Sequence, residues 1–235
     1  MHTRTSRFTL VLGSGGVKSI AGPGAMEVFA HAGLLPHAVV GGSAGALFGA
    51  LVAAGHPAGR AMSLVRSLWS RALSSQRRPR AWLELALPKL AGFDTHVALR
   101  DDRLIRQQLQ AAFGDRHFED LPLPLQVQTT NTATGAPVVL RSGLLVDALR
   151  ASIALPFLFA PQRIGNQLLA DGSLSDPLPL GLAPADHVQV ALGFRVPLPR
   201  SVGSPLRLAT RTTAVLSNNL LDARLASVDP ARLVL

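Results

Sequence analysis

The sequence predicts an α/β fold, a three-layer sandwich whose mostly parallel central sheet is flanked by helices. Short apolar segments rich in β-branched residues alternate with helical segments, which is typical of such a sheet. The composition, 48% hydrophobic and 16% charged over 235 residues, predicts one large buried core. Repeats and long linkers are absent, so we expect a single domain over residues 1–235 with a core at about 8–192.

The first half of the chain supplies alternating strands and helices. Residues 8–12 predict a buried strand that enters a glycine-rich loop, and residues 24–32 predict a helix that ends at Gly33. Residues 36–40 predict a second strand, and residues 44–54 an almost wholly apolar helix. The uncharged run over 38–55 contains a glycine cluster near its start, which favours strand, turn and buried helix over a membrane span of about 20 residues.

The middle of the chain is basic and amphipathic. Apolar residues recur at helical spacing over residues 58–75, and residues 81–90 form a second apolar segment. Residues 60–110 carry ten Arg or Lys against four Asp or Glu. We expect a cap over about 58–113 that contacts lipid; the alternative is ordinary core helices with a solvated arginine face.

The second half of the chain contains further sheet elements. The patterns predict a strand over 125–129, a hairpin partner over 137–141, a helix over 145–151, and strands over 167–170 and 187–192. Asp101 or Asp102 is placed to cap a helix that runs to Phe113. The arginine-rich tail over 197–235 has no assigned role.

The charge and the amino-acid usage limit the partners. The net charge of +9 suggests an anionic partner surface, although an arginine-rich composition without a specific partner remains the alternative. Basic blocks with interleaved aromatics and helix-turn-helix patterns are absent, so we expect no nucleic-acid partner. The chain has no cysteine, which excludes disulfides and Cys-ligated metals; we expect no metal and no cofactor. Without a recognisable secretory signal we expect a cytoplasmic protein, with peripheral contact to anionic membrane as a further expectation.

Residues 41–45 form the pattern G-x-S-x-G around Ser43. An apolar strand precedes it and an apolar helix follows at once, which is the context of a nucleophile elbow. The start of the helix would offer a positive dipole end to a developing oxyanion. The alternative is a Gly/Ser helix cap without catalytic function.

Residues 13–18 (GSGGVK) follow the first predicted strand and expose several backbone N–H groups, which are typical of an anion-binding nest. The dinucleotide fingerprint fails because Lys18 stands where its third glycine is needed, and the P-loop pattern fails because Val17 precedes Lys18-Ser19. This pattern therefore favours a transient oxyanion over a bound nucleotide.

A serine nucleophile needs a base, and two candidates follow Ser43 in the chain. Asp171 ends a predicted strand and is followed by Gly172, although an ordinary turn would have the same residues. His187 would complete the order Ser, Asp, His of an α/β-hydrolase triad. It begins a strand, however, which predicts a position at the wrong edge of a parallel sheet.

Together these boxes resemble the patatin-like phospholipase family. The resemblance covers residues 8–192: the glycine-rich loop, the Ser43 box, the Asp171-Gly172 box and the intervening stretches at 129–140, 151–159 and 176–179. It implies a Ser43–Asp171 dyad without histidine. It also implies an oxyanion hole made by the N–H groups of Gly15, Gly16 and Val17, while Lys18 steers an anionic head group or braces the loop.

The sequence departs from the family pattern near this loop. The basic residue is Lys18 where Arg is usual, Ser19 follows where Gly is common, and Gly22-Pro23 replaces a His-Ile pair. The resemblance implies an acyl hydrolase of the phospholipase A or esterase type, acting on a phospholipid or another lipid ester through an acyl-enzyme. The alternatives are a catalytically weak lipid-binding or membrane-binding protein and an acyltransferase that uses the same dyad.

Overall fold

A computed structural model describes residues 7–57, 59–61, 63–64, 87, 90, 98–198, 203 and 205–235. The two amphipathic segments predicted for the cap, residues 58–75 and 81–90, lie mostly outside these residues. Among the described residues, no helix is both long enough and apolar enough to cross a membrane.

The described residues form one mixed sheet of eight strands in the order β5-β6-β3-β2-β1-β7-β8, with β4 paired to β3. The strands are β1 (Phe8–Leu12), β2 (Ala38–Gly42), β3 (Leu125–Asn131), β4 (Pro137–Leu140), β5 (Gln162–Ile164), β6 (Gln167–Asp171), β7 (Val188–Leu192) and β8 (Leu233–Val234). The neighbouring strands β3, β2, β1, β7 and β8 are all parallel to one another. The pairings of β4 with β3, β6 with β3 and β5 with β6 are antiparallel.

Two hydrophobic clusters cover the two faces of the sheet. Leu10 and Val39 pack into a large cluster with apolar helix residues, whereas Val11 and Val40 pack into a second cluster with Leu178. Neighbouring residues of one strand point to opposite faces, so both β1 and β2 are buried on both sides. This arrangement confirms the predicted three-layer α/β sandwich.

Five helices of eight or more residues flank the sheet in the described part of the chain. They are α1 (Ala21–His31), α2 (Ala44–Ala53), α3 (Arg103–Phe113), α4 (Leu145–Ser152) and α5 (Pro205–Ala226). The uncharged run at 38–55 thus divides into β2, a turn at Ser43 and α2, as predicted. At the start of α3, Asp101 Oδ1 accepts a hydrogen bond from the Arg103 amide, whereas Asp102 pairs with Arg150.

The tail at 197–235 and the strand β5 have structures that the sequence pattern did not predict. Helix α5 contributes Leu221 to the second cluster, and β8 adds a parallel edge strand beside β7. Strand β5 is short and partly exposed, and it forms a hairpin with β6. Hydrophobic periodicity is weak in both places because few of their residues are buried.

Strand β3 shares one of its edges between β2 and β6. Strand β2 pairs with residues 125–128 of β3, and β6 pairs with residues 129–131. Strand β4 pairs with residues 127–130 and therefore occupies the opposite edge, since each edge position pairs with one neighbour. Because β2 is parallel and β6 antiparallel to β3, the two strands run toward each other and their carboxyl ends meet.

Candidate active site

Ser43 lies in a strained turn between β2 and α2. Its backbone has φ 55° and ψ −130°, a sparsely populated conformation that costs a residue with a Cβ about 1–3 kcal/mol. The turn brings Gly41 so close to α2 that a Cβ there would lie 2.7 Å from the Gly45 carbonyl oxygen. Small residues on both sides of Ser43 are therefore required by this geometry, as in a nucleophile elbow.

Gly45 joins the Ser43 turn to the glycine-rich loop. A Cβ at Gly45 would lie 2.6 Å from the carbonyl oxygen of Gly13 and would overlap that of Leu12. The backbone at the end of β1 therefore packs directly against the first turn of α2. This contact brings the loop that begins at Gly13 beside the turn that carries Ser43.

The Ser43 hydroxyl donates a hydrogen bond of 2.8 Å to Asp171 Oδ2. Asp171 is the last residue of β6 and pairs with Thr129, while Gly42 pairs with Gln128 one position earlier on β3. The other carboxylate oxygen, Oδ1, accepts the Ser173 amide at 2.8 Å. The structure thus brings together the serine and the carboxylate that the sequence predicted.

Burial changes the acidity of Asp171. Its side chain is only 2% exposed, and desolvation raises the pKa of the carboxyl above its ordinary value of 3.8. Hydrogen bonds from Ser173 and Ser43 act in the opposite direction and do not cancel the effect of burial. The hydrogen bonds that its two oxygens accept come from the Ser43 hydroxyl and the Ser173 amide. Such a group is a stronger base than a solvated aspartate.

The glycine-rich loop is fixed at its start by backbone hydrogen bonds. The Gly13 amide donates to the Leu192 carbonyl at 2.9 Å, and the Ser14 amide donates to the Pro177 carbonyl at 2.8 Å. Gly16 then adopts φ 56°, in the left-handed region that favours glycine. Neither the Gly15 amide nor the Gly16 amide donates to a backbone acceptor among the described residues. The loop whose amides the resemblance assigns to an oxyanion hole is thereby held in place at its start.

Lys18 and Gly15 contact the segment that follows β7. The Lys18 ammonium donates to the Arg195 carbonyl at 3.3 Å, which matches the loop-bracing role expected for this side chain. A Cβ at Gly15 would overlap the Phe194 ring. Val17 lies in the short 3-10 helix Gly16–Ile20, which follows this loop.

His187 lies away from Ser43. It precedes β7 at the amino edge of the parallel strands, and its Nδ1 is 2.8 Å from the Thr9 hydroxyl. Ser43 follows β2 at the other edge, about 16 Å away along strands of five residues. In the described part of the chain, no histidine forms a hydrogen bond with Ser43 or Asp171. The alternative triad through His187 is wrong, since parallel pairing separates the two residues.

The last residue of α4, Ser152, contacts Ser43, and Ala154, two residues further on, contacts Asp171; sequence reasoning gave neither residue a role. The Ser43 amide donates to the Ser152 hydroxyl at 2.9 Å, and the Asp171 amide donates to the Ala154 carbonyl at 3.0 Å. The only sequence signal was the position of Ser152 within a stretch that resembles the family. Its contact with Ser43 spans 109 residues and has no local signature.

Comparisons with known proteins identify the relatives of this chain. A family model described as Patatin-like phospholipase matches residues 10–184. An uncharacterized NTE family protein of Mycobacterium bovis is 32% identical over 224 residues, which cover 95% of this chain and 58% of that protein. Patatin-like phospholipase domain-containing protein 6 of Mus musculus is 30% identical over 180 residues, which cover 75% of this chain and 12% of that protein.

A solved structure supports the fold. The crystal structure of VipD from Legionella pneumophila aligns with a TM-score of 0.51 and 17% identity, covering 94% of this chain and 55% of that chain. The chain thus spans less than two thirds of the length of the relatives it matches. The family model and the sequence identity together show that this chain belongs to the patatin-like phospholipase family.

Proposed function

We propose that this chain hydrolyses acyl esters of lipids, with Ser43 as the nucleophile and Asp171 as the general base. The observation that carries the proposal is the hydrogen bond of 2.8 Å from the Ser43 hydroxyl to Asp171 Oδ2. It joins a serine on a strained elbow to a buried carboxylate whose pKa is raised. A nucleophile within hydrogen-bonding reach of its base is the arrangement that acyl transfer requires.

The reaction begins when Asp171 accepts the proton of the Ser43 hydroxyl as its oxygen attacks the acyl carbonyl carbon. The carbonyl oxygen becomes an oxyanion, which the N–H groups of Gly15, Gly16 and Val17 stabilise. The carbon–oxygen bond to the alcohol breaks, and Asp171 returns the proton to the leaving oxygen. Asp171 then takes a proton from water, the resulting hydroxide attacks the acyl-enzyme, and Ser43 leaves with that proton as the fatty acid is released.

A lipid substrate agrees with the exposed apolar side chains that lie close to Asp171 and its partner Ala154 in the chain. Leu155 and Phe157, which follow the carbonyl bonded to Asp171, are 39% and 59% exposed. Leu174, three residues after Asp171, is 43% exposed. Exposed apolar side chains beside a polar reaction centre suit an ester that carries an acyl chain. Phospholipid is the substrate class that we favour, with peripheral contact to a lipid surface as the way it is reached.

The burial of Asp171 also supports a functional assignment. An aspartate that is 2% exposed, and whose pKa is raised by desolvation, destabilises the folded protein once it is ionised. Groups that reduce stability in this way cluster at active sites, where the shifted pKa serves proton transfer. Asp171 therefore fits a base better than a structural turn residue.

Replacing either dyad residue should abolish hydrolysis of a lipid-ester panel. We expect Ser43→Ala and Asp171→Asn each to lower kcat by about 10³-fold or more, because the nucleophile or its base is lost. Ser227→Ala and Asp186→Asn, at exposed positions, serve as controls and should retain wild-type rates. Undiminished hydrolysis by Ser43→Ala would rule out the proposed nucleophile.

Replacing Gly16 should separate catalysis from backbone strain. Gly16 and Gly33 both have positive φ, 56° and 70°, and a Cβ at either position would meet no atom within 4 Å. Gly16→Ala and Gly33→Ala should therefore lose similar stability, about 1–2 kcal/mol by urea denaturation. Only Gly16→Ala should lose activity, by about tenfold or more in kcat, because its loop shifts. Equal activities of the two variants would argue against an oxyanion role for this loop.

Removing the Asp171 charge should stabilise the protein in a pH-dependent way. Because the folded pKa lies above 3.8, the folded protein retains a proton that the unfolded chain has lost, so wild-type stability falls as pH rises through that window. Asp171→Asn cannot ionise. Its free energy of unfolding, measured in urea, should exceed that of wild type by an amount that grows upward from about pH 4. A variant that is less stable than wild type at neutral pH, by a constant amount, contradicts this expectation.

A further inference from the structure

The segment 152–154, at and just after the end of α4, bonds to the backbones of both members of the dyad. The Ser152 hydroxyl accepts the Ser43 amide at 2.9 Å, and the Ala154 carbonyl accepts the Asp171 amide at 3.0 Å. Ser152 is fully buried, at 0% exposure. One segment of three residues thus contacts two residues that are 128 positions apart in the chain.

The direction of both hydrogen bonds of Ser152 is fixed. Its hydroxyl also bonds to the Gln128 carbonyl of β3 at 2.7 Å. A carbonyl only accepts and an amide only donates, so the single hydroxyl proton of Ser152 points to Gln128 and a lone pair faces Ser43. The side chain therefore has one orientation that satisfies both partners. It also links the Ser43 turn to β3 at the residue that pairs with Gly42.

The position of this bridge matters because Ser43 is strained. Its positive φ is maintained only while surrounding contacts hold the turn, and the amide bonded to Ser152 belongs to Ser43 itself. Rotation of that backbone would move the Ser43 hydroxyl away from Asp171. The Ser43 amide is also occupied by Ser152, which leaves oxyanion stabilisation to other N–H groups.

We propose that Ser152 is a positioning residue, whose hydroxyl fixes the Ser43 backbone so that the Ser43 side chain stays aligned with Asp171. This inference rests on the proposed dyad function. It assigns Ser152 no contact with the substrate, so its loss should affect the rate of the chemical step and leave substrate binding unchanged.

The test compares three variants with wild type at a temperature where all are folded. Ser152→Ala removes the hydroxyl, Ser152→Thr restores it, and Thr9→Val removes a different buried hydroxyl, which contacts His187 at the far edge of the sheet. The readouts are kcat and KM for a lipid ester, the rate constant for labelling by a fluorophosphonate, and the melting temperature.

We expect Ser152→Ala to lower kcat and the labelling rate constant by about tenfold to a hundredfold, with KM unchanged. Ser152→Thr should recover most of both rates. Thr9→Val should lose melting temperature without losing either rate. The proposal is overturned if Ser152→Ala retains the wild-type kcat per folded molecule, or if Thr9→Val loses as much.

Amide hydrogen exchange tests the bridge without turnover. Exchange at the Ser43 amide should be faster in Ser152→Ala than in wild type and unchanged in Thr9→Val, while slow exchange in Ser152→Ala would overturn the proposal. A wild-type protein that cleaves no ester and takes no label would refute the proposed function. The exchange result would then still decide whether Ser152 holds the Ser43 backbone.

Discussion

The site depends on the pairing of β2 and β6 with the same edge of strand β3. The two strands run toward each other along that edge. Gly42 at the end of β2 pairs with Gln128, and Asp171 at the end of β6 pairs with the next residue, Thr129. Ser43, which follows β2, therefore lies next to Asp171, which ends β6. The hydrogen bond between Ser43 and Asp171 is a consequence of strand register, and register is strongly fixed in a sheet that is buried on both faces.

Close backbone packing and a hydrogen bond together hold the strained serine at this junction. Gly41 and Gly45 leave room for the turn, and Ser152 accepts the Ser43 amide. The same close approach at Gly45 brings the end of β1 beside α2, so the turn and the glycine-rich loop are packed as one unit. The strained backbone of Ser43 and the burial of the Asp171 carboxylate each reduce the stability of the folded protein. The two costs lie side by side, and the proposed hydrolysis would give a purpose to both.

Local chemistry was predictable from sequence, and long-range geometry was not. The elbow at Ser43 has a signature within a few residues. Asp171 alone is explained equally well as a turn residue, and it was assigned through the resemblance to a family. The meeting of the two residues depends on β6 running antiparallel, whereas the sequence pattern predicted a mostly parallel sheet. The role of Ser152 depends on a contact across 109 residues, and α5 became assignable only through its packing on the second hydrophobic cluster. Hydrophobic periodicity does not indicate which distant motifs form one site. The resemblance to a family supplied that information.

The most direct test of the central claim is to trap the acyl-enzyme. Wild-type protein is mixed with a lipid ester, quenched in acid within the first turnovers, digested with a protease and analysed by mass spectrometry. The account predicts a mass increase equal to one acyl group on the peptide that contains Ser43, and none on that peptide from Ser43→Ala. Ester cleavage without any acyl adduct on Ser43, or with the adduct on a different residue, would contradict it.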